Sequence, residues 1–98
     1  MEYQIVESQD IVTIIANGPI EMRSIKDFKD KLLEMGDSTD KNIEIDLSHV
    51  DYMDSTGIGL LITLLKKQKK KDKQLRIVNA TPRVLSLLEL SSLSEVLS

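Results

Sequence analysis

Cysteine is absent from this 98-residue chain. Disulfide frames, thiolate nucleophiles and cysteine-type zinc sites are excluded with it. Tryptophan is absent too, and aromatic residues reach only 3%, so little is available to stack on bases or sugars. No run approaches the roughly 18 apolar residues of a transmembrane helix. The opening MEYQIVESQD lacks the basic segment and apolar core of a secretory signal. There is no low-complexity tract, internal repeat or linker. Positive charge is not in excess either: the formal net charge is −3, which argues against nucleic acid as the main partner.

What is present suits one compact domain over residues 1–98. Hydrophobic residues make up 41% and charged residues 30%, an ordinary globular balance. The missing cysteines fit a cytoplasmic protein. YQIVES and IVTIIAN predict two β-branched strands joined at Ser8 to Asp10 and closed by Gly18-Pro19. Ile25, Phe28, Leu32 and Met35 recur at helical spacing, with Ser24 as the expected start and Gly36 as the stop. NIEIDLS alternates strictly, as a strand with one covered face does. A second helix ending in lysines follows, then the strand QLRIVNA. Thr81-Pro82 opens a third helix, because threonine caps and proline suits the first turn. LSEVLS reads as a short strand or a frayed end. The expected class is α/β, a mixed β-sheet with helices mostly on one face in the order β-β-α-β-α-β-α.

DYMDSTGIGLL, residues 51–61, is the stretch that demands an explanation. An acid, two hydroxyls and two glycines open a strongly apolar helix. Asp54, Ser55 and Thr56 are all good N-caps, so capping alone accounts for them. A serine at a helix N-terminus also places a hydroxyl where added phosphate changes a surface by about −1.5 to −2 charges. That phosphate would meet the free N–H groups of the first turn and be repelled by Asp54. Spacing predicts a buried stripe of Ile58, Leu61, Ile62 and Leu65. Gly57, Leu60 and Leu64 then fall on the opposite side, either as a second core contact or as an apolar docking patch.

The run IEIDLSHVDYMDSTGIGLLITLLKK, followed by QLRIVNATPRVLSLLELSSLSEVL, resembles the STAS domain of bacterial anti-sigma factor antagonists. The likeness extends over nearly the whole chain and is densest from residue 43 onward. It implies a STAS-like fold and a non-enzymatic partner switch. In that family the serine after the aspartate, here Ser55, is phosphorylated by a serine kinase that is also an anti-sigma factor. The unphosphorylated antagonist binds that kinase and frees the sigma factor, and a serine phosphatase resets the phosphorylated form. Thr56 matches the next hydroxyl position. Glu21 stands where relatives carry an aspartate used in kinase docking, although here the run is GPIE. The implied docking residues are Glu21, Asp54, Thr56, Gly57, Ile58, Gly59, Leu60 and Leu64. The alternative is a STAS adaptor in a non-sigma signalling or structural assembly, with Ser55 acting only as a helix cap.

Other candidates carry less. Ser48, His49 and Asp51 lie too close along the chain to form a hydrolase triad. Asp46, Asp51 and Asp54 lack the calcium-loop pattern, and no Lys-Ser/Thr follows Gly57-Ile58-Gly59 to make a phosphate cradle. No metal, cofactor, catalytic residue or membrane contact is expected. The lysine-rich KKQKKKDK, Lys66 to Lys73, suits a solvated helix C-terminus.

Overall fold

The computed structural model describes residues 1–97. Strands β1 (Glu2–Glu7) and β2 (Ile11–Asn17) form an antiparallel hairpin. Helix α1 (Lys26–Ser38) leads to β3 (Asn42–His49), and α2 (Ser55–Lys70) leads to β4 (Leu75–Val78). The β2–β3 and β3–β4 pairs are parallel, and the four strands lie in chain order. Helix α3 (Pro82–Glu89) and a 3-10 turn over Ser92–Val96 complete the described chain. The expected order β-β-α-β-α-β-α is the observed one. LSEV of LSEVLS belongs to that turn, Leu97 makes a single parallel bridge to Ile77 at the edge of β4, and Ser98 lies outside the described residues.

Period-two patterning decides which face is covered. Val12, Ile14 and Ala16 of β2, Ile43, Ile45 and Leu47 of β3, and Leu75 and Ile77 of β4 are buried under the helices. Tyr3 and Ile5 of β1 join this side, with the Tyr3 ring 5.7 Å from that of Phe28 in α1. The opposite face is wetter. There Thr13 donates to Glu44 at 3.5 Å, and Arg76 pairs with Glu44 at 3.9 Å.

Two helix signals differ from expectation. Ser24 does not cap α1. Its hydroxyl donates to the carbonyls of Pro19 and Glu21, closing the loop ahead of the helix, and α1 begins without a side-chain cap. Gly36 does not end α1 either. It lies inside the helix where α2 crosses closely, and a Cβ there would meet Lys67 Cδ at 2.8 Å and Leu64 Cδ1 at 2.9 Å. The lysine run is correspondingly more than a solvated tail. Lys71 Nζ donates to the carbonyls of Gly36 and Thr39 at 2.7 and 2.5 Å, and Lys67 Nζ lies 2.6 Å from Asp37. Lys71, just past the end of α2, thus satisfies carbonyls at the end of α1, where the helix dipole favours a cation.

Candidate functional site

The N-terminus of α2 sits at the carboxyl end of β3, the end where open α/β sheets place their binding loops. The loop after β2 is stitched alongside it. Gly18 leaves β2 at φ +104°, a conformation that glycine alone adopts cheaply. From there Gly18 N–H donates to His49 O, Ile20 N–H to Tyr52 O and Asp54 N–H to Ile20 O, at 3.0 to 3.1 Å. Ile20, Val50 and Met53 are buried beneath these bonds. Backbone pairing above and apolar anchors below hold both loops to the core.

Asp54 is the knot of this arrangement. It is the N-cap of α2, and its Oδ1 accepts from Thr56 N–H at 3.0 Å and Gly57 N–H at 3.3 Å. Its Oδ2 accepts from Met22 N–H at 3.1 Å across the loop boundary. Partial desolvation pushes its carboxyl pKa up. The hydrogen bonds from the N–H groups of Met22, Gly57 and Thr56, with the Thr56 hydroxyl, outweigh that and hold it below the ordinary value. Glu21, next to Met22, is carried to the α2 N-terminus by the same tether.

Ser55 is the first residue of α2 and is exposed. Its hydroxyl makes no hydrogen bond among the described residues. The capping role left open by the sequence therefore belongs to Asp54, not Ser55. One expectation also changes sign. The Thr56 and Gly57 N–H groups are already taken by Asp54, so a phosphate on Ser55 would not find them vacant.

The docking candidates on α2 divide. Ile58 is half-buried and Gly59 exposed, with open space around it. Leu60 and Leu64 are core residues, 6% and 0% exposed, and Gly57 is buried against Ile20 and Met53. These three form no surface patch. Two apolar strips run along α2, and it packs on the sheet and on α1 together. Its buried set is therefore Gly57, Leu60, Leu61, Leu64, Leu65 and Gln68, while Ile58 and Ile62 fall at the margin.

A groove of about 510 Å³ opens beside Ser55, lined by Tyr52, Met53, Asp54, Ile58, Arg83 and Leu87. The Arg83 guanidinium carbon stands 5.6 Å from the centre of the Tyr52 ring. Tyr52 and Leu87 are both more than a third exposed, and Met22, whose N–H tethers Asp54, is 73% exposed. Sequence reasoning passed over Arg83, Tyr52 and Leu87. One signal was available: Arg83 is a cation in the first turn of a helix, where the dipole disfavours it.

The other acids lie apart. Asp46 Oδ1 accepts from Ser48 N–H at 2.8 Å and Oδ2 from the Asn79 amide at 3.2 Å, while Asp51 is exposed. Among the described residues no three His, Asp or Glu side chains converge as a metal set, and no helix is long and apolar enough to cross a membrane.

Comparison with known proteins adds three findings. The STAS domain family model matches residues 2–98. An anti-sigma-B factor antagonist of Staphylococcus aureus is 30% identical over 80 residues, covering 82% of this chain and 74% of its own. Among solved structures, the anti-sigma factor antagonist SpoIIAA in its unphosphorylated form superposes with TM-score 0.86 at 17% identity, covering 99% of this chain and 86% of that one.

Proposed function

Because the chain belongs to the STAS domain family, we propose that it is an anti-sigma factor antagonist whose partner is switched by phosphorylation of Ser55. Unphosphorylated, it binds an anti-sigma factor that is also its serine kinase, and the sigma factor is released. Phosphorylated, it lets go, and a serine phosphatase restores it. It is a regulatory binding protein and contributes no catalysis of its own.

The observation that carries this is the exposed, unbonded Ser55 hydroxyl on a helix capped by its neighbour. A serine needed for the cap could not be modified without loosening α2. Here Asp54 does that work, so a kinase can take the hydroxyl while the fold stays intact. The added charge then falls beside Asp54, on a surface formed by Ile58, Gly59, Thr56 and the loop bearing Glu21. Like charge and desolvation there weaken docking without unfolding anything.

Intact-mass measurement and peptide mapping of the protein from its native cells test this directly. One phosphate on Ser55, absent from Ser55→Ala, is expected. Ser55→Ala should retain partner binding, and Ser55→Asp should weaken it at least severalfold. A Ser55→Asp protein that binds its anti-sigma factor as tightly as wild type would refute the charge switch. A chain never phosphorylated in any growth condition would instead be an adaptor in a non-sigma assembly.

A further inference from the structure

Within the Ser55 switch proposed above, and resting on it, we infer that Arg83 of α3 is the intramolecular acceptor of the phosphate, closing the groove beside α2 once Ser55 is modified.

Three observations converge. Arg83 and Ser55 line the same groove, whose only charged lining residues are Arg83 and Asp54. The Arg83 guanidinium makes no ion pair among the described residues. It is held instead against the ring of Tyr52, three residues before Ser55, which keeps it on the approach to the serine at little cost in side-chain freedom. Asp54, meanwhile, is committed. Both its oxygens accept backbone N–H bonds, so it can neither turn away from a new phosphate nor yield its donors. The phosphate is therefore driven from Asp54 and from the occupied N–H groups toward the one unpaired cation lining the groove. A guanidinium fork matches phosphate oxygens in pairs.

The consequence is a change in what the surface offers. Before modification the groove presents an open guanidinium, ready for a carboxylate of a partner, between the apolar rims of Tyr52 and Leu87. Afterwards that guanidinium is occupied from within, and the groove carries net negative charge. The other charges near the α2 N-terminus are Glu21 and Arg23, which flank the tethered Met22, and Asp51. Arg23 is the competing acceptor.

The test installs phosphoserine at position 55 by genetic encoding and follows the 31P resonance against pH. Pairing favours the dianion, so it lowers the second phosphate pKa, and removing the partner raises it. Arg83→Gln should move the midpoint up by about half a unit, and the difference should shrink at about 1 M salt. Equal midpoints in wild type and Arg83→Gln would overturn the inference. So would a shift produced by Arg23→Gln and not by Arg83→Gln. Thermal melting of unmodified Arg83→Gln should stay within a few degrees of wild type, since the exposed Tyr52 contact it loses and the helix-dipole repulsion it relieves are both small and opposed. Because the phosphate is installed without any kinase, absence of phosphorylation in cells would sink the Ser55 switch while leaving this measurement intact.

Discussion

Gly57 and Gly59 lie two residues apart near the start of α2, and replacing each with alanine should change stability in opposite directions. Alanine is favoured over glycine in a helix interior by about 0.8 to 1.0 kcal/mol. At Gly59 a new Cβ meets nothing within 4 Å, so that gain is realised in full. Gly59→Ala should raise the melting temperature by about 4 to 8 °C. At Gly57 the same methyl would lie 2.7 Å from Met53 Cγ, 2.8 Å from Ile20 Cγ2 and 3.3 Å from the Ile20 carbonyl oxygen. The side chains are buried, and the carbonyl accepts the Asp54 N–H bond, so none can move freely. Overpacking of this kind costs about 1 to 3 kcal/mol. Set against the helical gain, Gly57→Ala should lose about 1 kcal/mol, leaving the two variants about 2 kcal/mol apart. Urea unfolding of both proteins with a common m-value measures the gap. If Gly57→Ala were as stable as Gly59→Ala, the close approach between α2 and the Ile20 loop would be wrong, and with it the rigid seating of Ser55.

Two further substitutions probe the site and its support. Leu64→Ala removes a fully buried side chain packed over Gly36 and should cost about 2 to 5 kcal/mol. Half-buried Ile58→Ala should cost less and instead weaken binding of the anti-sigma factor, an assignment checked by unfolding and binding assays on both variants. Asp54 sets an acid limit. Its folded-state pKa is depressed, so its contribution is present above the unfolded value of about 3.9 and is lost as pH falls through the lower folded value. Asp54→Ala should flatten that acid limb and accelerate amide exchange at Met22, Thr56 and Gly57.

The sheet was legible because IVTIIAN is β-branched and alternation in NIEIDLS leaves one assignment of covered face. The α2 face was not, because Ile58, Leu60, Leu61, Ile62, Leu64 and Leu65 make apolar strips on both sides. Periodicity finds one stripe and cannot show that sheet and α1 claim a wider one. The better markers were the small residues. Gly36 and Gly57 stand where elements approach closely, yet the sequence suggests a helix stop at Gly36 and leaves Gly57 between a second core contact and a docking patch. Motif residues located Ser55 and its capped helix start. The groove itself escaped, since Arg83 and Leu87 come from another element, about thirty residues further along, and only packing brings them to Tyr52.

The chain-order sheet also bears on how the molecule reaches its fold. Every strand pairs with the strand made just before it, so none must be threaded between two already joined. The hairpin of β1 and β2 offers an edge to β3, and β3 then offers one to β4. Such growth keeps each closing loop short, which favours rapid folding.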